Sequence, residues 1–225
     1  MIQKSALFIL AFLYLGFQIQ AQTKPSFSLA VLQYRGGGDW YANPTSVPNL
    51  AAFCEKELKM RIGETQFVDA GSAEIFDYPF VHMTGHGNVV FNANDRQNLR
   101  TYLLAGGFLH IDDNYGMDPY VRTQIEAVFP DKDWVEVPFD HPVYHQKFDF
   151  PKGLPKVHEH DEQPPRGFGI FHEGRLLLFY SFESDLGDGW EDPAVHGDPE
   201  TTRTQALRMG ANLVQYALTG ESTLN

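Results

Sequence analysis

Side chains able to move protons or hold a cation occur in short polar clusters: His86 in Thr84-Gly85-His86-Gly87, Asp112 beside Asp113, and His158, His160 and Asp161 in one run. Imidazoles and carboxylates of this kind bind zinc, manganese or iron, and a metal so held can activate water for hydrolysis. In an extended segment His158-Glu159-His160 puts both rings on one side, because side chains alternate with a period of two. No His-Glu-x-x-His or paired Cys-x-x-Cys accompanies them, so hydrogen-bonded structural histidines are the competing account. From Glu183 to Glu200 there are seven acidic residues and no Lys or Arg. Asp185, Asp188, Glu191 and Asp192 could offer oxygen ligands to calcium, although their spacing is not that of an EF-hand. The alternative is a solvated loop whose Asp side chains close turns around Gly187 and Gly189.

These residues need elements to position them, and the hydrophobic pattern alternates strands with helices. Phe27 to Tyr34 reads as a buried strand followed by the loop Gly36-Gly37-Gly38-Asp39-Trp40. Ser46 is the expected cap of a helix whose inner face is Val47, Leu50, Ala51, Cys54 and Leu58. Gln66–Ala70 and Pro79–Thr84 are the next strands. Asn94 opens a helix with Leu99, Tyr102 and Leu103 inward, and Phe108–Asp112 follows as a fourth strand. Asp118-Pro119 starts a further helix, Trp134–Val137 is a fifth strand, and residues 138–167 form an irregular stretch too long for a simple connection. Phe168–His172 and Leu176–Phe182 flank Glu173-Gly174 as a hairpin, and a last helix runs from Asp198-Pro199 to Gly220.

Strands separated by helices predict an α/β three-layer sandwich with a mostly parallel sheet, flavodoxin-like in strand order 2-1-3-4-5. That order brings the loops after strands 1, 3 and 4 to one edge. Asp39, Trp40, Gly85, His86, Asn88, Asp113 and Tyr115 then surround a cleft, and the 138–167 stretch is expected to deliver His158 or His160 to it. Each residue also has a plainer role: glycine for a tight turn, Asp for a helix cap, Asn for a turn. Trp40, Tyr41, Tyr115 and Trp190 fall in expected loops, where an aromatic ring can stack on a sugar or cover the core edge. His82 and His110 lie within strands and are expected to be buried and hydrogen-bonded.

The chain has 225 residues with 17 Lys plus Arg against 29 Asp plus Glu, enough for one domain and a formal charge of −12. That sign disfavours nucleic acid and anionic membrane surfaces and favours neutral or cationic ligands, unless a metal reverses the local charge. Met1–Lys4 is positive, Ala6–Phe17 is apolar, and Ala21 suits a signal peptidase, so residues 1–21 read as a signal peptide and 22–225 as an exported domain. The mature chain is then periplasmic or secreted, with no membrane span. Cys54 is the only cysteine, which excludes an internal disulfide, and on its helix face it reads as a core residue.

Many ordered blocks carry a resemblance: Val31-Leu32-Gln33-Tyr34, Asn43-Pro44-Thr45-Ser46, Tyr78-Pro79-Phe80, Thr84-Gly85-His86-Gly87, Asp112-Asp113, Tyr115-Gly116-Met117-Asp118-Pro119, Asp140-His141-Pro142, His158-Glu159-His160, and Ser184 to Pro193. Together they resemble the domain of unknown function 4159 family over about residues 27–219. The resemblance implies a sheet like that of class I glutamine amidotransferases and no activity. Those enzymes set a nucleophilic cysteine on a sharp turn after a strand, in a stretch resembling Gly106-Gly107-Phe108-Leu109-His110-Ile111 here. Asp112 and Asp113 stand at the matching positions, so glutaminase chemistry is expected to be absent.

Two functions follow. The first is a non-catalytic exported module that binds a small polar ligand, glycan or envelope protein at the carboxyl edge of the sheet. The second is a metal-dependent hydrolase with Asp112 or Asp113 as base and His86, His158 or His160 as ligand or acid. Candidate metal ligands are His158, His160, Asp185 and Asp188, with zinc, manganese or calcium as the divalent ion.

Overall fold

Phe80–Gly85 and Phe108–Asp113 are the fully buried central strands β3 and β4, and the polar residues that alternate along them, His82, Thr84, His110 and Asp112, are buried with hydrogen-bond partners. A computed structural model describes residues 27–220, so the expected signal peptide at 1–21 lies outside the described residues. The other strands are β1 (Ala30–Gln33), β2 (Gln66–Asp69), β5 (Val135–Glu136), β6 (Arg166–His172) and β7 (Arg175–Phe182). They form one seven-stranded sheet in the order β2-β1-β3-β4-β7-β6-β5. Strands β2, β1, β3, β4 and β7 are parallel, whereas β6 and β5 are antiparallel to their neighbours. Among the described residues no helix is long and apolar enough to cross a membrane.

Helices cover both faces. On one side lie α1 (Ser46–Leu58), α4 (Leu186–Trp190) and α6 (Glu200–Thr219), and on the other α2 (Ala93–Leu104) and α3 (Asp118–Val128). A short exposed helix, α5 (Pro193–His196), precedes α6. The molecule is thus the α/β three-layer sandwich expected from the sequence. The first four strands keep the flavodoxin-like order. The fifth place belongs to β7 rather than to the Trp134–Val137 strand, because Leu176–Tyr180 are all buried while Val135 and Glu136 are both exposed. A strand flanked on both sides needs apolar residues on both faces, and only β7 has them.

Helix starts also depart from the expected caps. Ser46 is the first helical residue of α1, its side chain makes no cap, and Glu191 supplies the acceptor instead. Helix α2 is capped by Asn92, not Asn94, in a reciprocal box with Asp95. The acidic run from Glu183 is solvated only in its second half: Asp185, Leu186 and Trp190 are fully buried, whereas residues 192–197 are exposed. The four oxygens proposed for calcium do not converge, since Glu191 faces the start of α1 and Asp192 accepts from Asn49.

Candidate metal centre at the carboxyl edge

Parallel pairing sets Gly85 beside Asp113 and Thr84 beside Asp112, so the loops after β3 and β4 leave from one edge. The loop after β1 joins them there. Asp39 Oδ2 lies 3.0 Å from His86 Nδ1, and its other oxygen accepts the His86 backbone N–H. Partial burial raises the Asp39 carboxyl, but the two His86 interactions outweigh it and hold it below the usual range. This pair fixes an imidazole whose side chain is 55% exposed. Gly85 is required at its position: φ is +140°, and a Cβ would stand 2.2 Å from the Tyr34 hydroxyl. Asn88 holds the glycine loop, donating to Gly36 O at 3.1 Å and accepting from Gly38 N at 3.0 Å.

Asp112 and Asp113 sit at the end of β4, but their oxygens are committed within the protein. Asp113 accepts the N–H groups of Tyr115 and Met117 (2.9 Å each) and Asp118 (3.2 Å), which caps α3, and takes the Tyr180 hydroxyl at 3.1 Å. Asp112 is fully buried and accepts from Ser181 Oγ, Leu186 N (3.2 Å) and Gly187 N (2.6 Å). Burial pushes its carboxyl up to about 8, against the Ser181 hydrogen bond, and the charges of Asp185 and Asp188 add to the rise. Neither carboxylate has the open oxygen that a general base presents to a substrate. Asp112 instead anchors the start of α4.

That anchoring places Asp185 and Asp188 beneath the irregular 138–167 stretch, which crosses the edge and delivers both histidines. His158 Nδ1 lies 3.1 Å from Asp188 Oδ2 and 3.3 Å from Asp185 Oδ2, and its Nε2 lies 3.1 Å from Asp198 Oδ1. His160 Nε2 meets Asp185 Oδ2 at 2.5 Å, and its ring stacks on Tyr115 at 4.7 Å. His196, on α5, brings its Nε2 to 3.8 Å from Asp188 Oδ2. Burial lowers the His158 imidazole, but the carboxylates of Asp188, Asp198 and Asp185 win and hold it above its ordinary value. Burial also lifts the Asp185 carboxyl to about 6, although His160 and His158 oppose the rise.

His158, Asp188 and His196 each offer an atom within 4.8 Å of the others. Two zinc ligands at about 2.1 Å in tetrahedral geometry stand roughly 3.4 Å apart, so closure requires movement of an ångström or so. Exposed α5 can supply it. Asp185 adds a second feature: it is fully buried, takes φ = +56°, and its Oδ1 has no hydrogen-bond partner. A buried carboxylate oxygen without a donor is costly unless a cation completes it.

Five neighbours of the site were not singled out by sequence. Asn43 Nδ2 donates to Asp188 Oδ1 at 2.7 Å and to Asn114 Oδ1 at 3.3 Å, and Thr84 Oγ1 also donates to Asn114 at 3.0 Å. His196 and Asp198 complete the set. Except for His196, which lies eight residues from Asp188, their partners are 30 to 145 positions away, beyond any local pattern; the one local hint is the proline following Asp192 and Asp198. Of the expected loop aromatics, Trp190 is fully buried, packs against His82 and His110, and donates to Ala206 O, so it faces no ligand. His82 and His110 are buried as expected and bond each other through Nδ1 at 3.0 Å.

An α/β sandwich with a polar cluster at the carboxyl ends of its parallel strands is the class of protein these features define. The chain belongs to the family described as domain of unknown function DUF4159, whose model matches residues 28–218. No curated protein matches the chain.

Proposed function

We propose that this domain holds a divalent transition metal of the zinc class through His158, Asp188 and His196 and presents it to a small polar ligand at the carboxyl edge of the sheet. Removal of residues 1–21 would place this module in the periplasm or outside the cell. The observation that carries the reading is the meeting of His158, Asp188 and His196 from three separate segments beside the unpartnered Asp185 Oδ1. Nitrogen and oxygen donors in this mixture suit zinc better than calcium, which takes oxygen alone. A metal here supplies a Lewis acid for an oxygen ligand, a hydroxyl-bearing glycan included.

A second reading is a metal-dependent hydrolase, and the Asp39–His86 pair favours it, since a carboxylate that orients a half-exposed imidazole is the arrangement of a general base. Calorimetric titration of the chelator-treated chain with zinc tests the first reading. Saturable one-to-one binding, weakened at least about tenfold in His158→Ala and His196→Ala, is expected. Equal affinity in both variants, or no binding by the folded chain, rejects it. Turnover of an ester or phosphoester panel by the zinc-loaded chain, lost in His86→Asn, would select the hydrolase.

A further inference from the structure

A cavity of ≈ 790 Å³ lies apart from the metal centre, between α1 and the β1–β2 edge of the sheet. Its size is that of a small-molecule site. Val31, Val47 and Ile62 line it with apolar surface, and Ala51 and Ala52 leave room beside α1. Three aromatic rings stand at it: Trp40 meets Tyr41 edge to face at 5.5 Å and 85°, and Phe67 at 6.0 Å and 63°. Tyr41 is 65% and Phe67 56% exposed, more than any other large apolar side chain among the described residues. Exposed rings at steep mutual angles present their negative π-faces in more than one direction.

The charge at the rim has one sign. Glu55 and Glu64 line the cavity, and no Lys, Arg or His does. Glu55 is held in place because its Oε1 accepts the Ile62 N–H at 3.0 Å. Carboxylates, aromatic faces and an apolar trough are together the features that recognise an organic cation: charge attracts the ammonium, rings take it by cation–π contact, and the trough buries the hydrocarbon. An anionic amphiphile would be repelled, and a polyol would leave the apolar walls unused.

We infer that this groove binds a small organic ammonium ion with an apolar body. The inference is independent of the metal centre, although Asn43, which lines the groove, also donates to Asp188 and so links the two.

Titration calorimetry of the full chain with decyltrimethylammonium, below its aggregation concentration, tests the inference against decanoate and a decyl glucoside of the same tail. The ammonium should bind saturably and at least about tenfold tighter than decanoate. Phe67→Ala and Tyr41→Ala should each weaken it several-fold, and both side chains are exposed enough for the variants to fold. Glu64→Gln should narrow the preference over decanoate while leaving glucoside binding unchanged. Equal binding of decanoate, tighter binding of the glucoside, or undiminished affinity in both aromatic variants overturns the inference. So does a dimer in solution that Phe67→Ala dissociates, because a second copy would then fill the groove. Loss of zinc binding in His158→Ala leaves this test untouched, so the two proposals fail separately.

Discussion

Glu191 caps a helix that begins 145 residues before it: its Oε1 accepts the backbone N–H of Thr45 at 2.8 Å and of Ser46 at 2.9 Å. The carboxylate is 2% exposed and meets the positive end of α1, so it does in the tertiary structure what a local Ser or Asp does elsewhere. Glu191→Ala should cost about 1–2 kcal/mol, the range of a lost cap, and Glu191→Gln appreciably less. Urea denaturation of the three proteins checks the order. An Ala variant as stable as the parent would show that water replaces the cap.

Cys54 is fully buried on the inner face of α1, and burial pushes its thiol up to about 12. Only the thiolate reacts readily, so an aromatic disulfide reagent should label Cys54 at the rate of unfolding rather than at the rate of a free thiol. Stopped-flow labelling with and without denaturant makes the comparison. Cys54→Ser should fold with stability lowered by about 1–3 kcal/mol, through burial of a hydroxyl in place of a thiol.

The inner faces of α1, α2 and α3 and the buried strands were legible because their signals are local: a spacing of three and four, or a short, mostly apolar run. Long-range choices were not. Trp134–Val137 resembles a strand as well as Leu176–Phe182 does in isolation, and only competition for the double-sided place beside β4 separates them. The candidate site divides the same way. His158, His160, Asp185 and Asp188 stand out by residue type, whereas Asn43 and His196 join them only through folding. Asp112 and Asp113 stood out for the wrong reason, since adjacent carboxylates at a strand end serve equally well as helix anchors.

Buried His82 and half-buried His141 should set the acid limb of stability. Burial lowers His82 to about 3 and His141 to about 4, below the unfolded value near 6.5. The unfolded chain therefore binds more protons between those values, and the stability each contributes is complete above about 6.5 and lost as pH falls toward 4 and 3. His141 Nδ1 accepts the Val143 N–H at the start of a 3-10 turn over Pro142–Tyr144, a role that Asn can fill. His141→Asn should match the parent near pH 7.5 and gain on it as pH drops to 4.5, as read from denaturation midpoints. A constant difference across that range would place the titration elsewhere.

Asp112 should act with the opposite sign. Its carboxyl is raised to about 8 in the folded chain, against about 4 when unfolded. Such a group stabilises the fold most below the unfolded value, and the contribution is lost as pH rises through the folded one. Leu186 N and Ser181 Oγ meet one oxygen of Asp112 and Gly187 N the other, so Asp112→Asn keeps one acceptor and loses the second, while removing the charge that burial opposes. The variant should therefore improve relative to the parent from pH 4.5 to pH 8.5, by more than about 1.4 kcal/mol, the equivalent of one pKa unit. Because the same oxygens position α4, zinc affinity provides an independent check. Asn, which keeps one of the two acceptors, should weaken it less than Asp112→Ala, which frees the N–H groups of both Leu186 and Gly187 and so shifts Asp188. If Asn and Ala instead weaken zinc binding equally while the fold stays intact, the charge of Asp112 rather than its anchoring of α4 is what the centre needs.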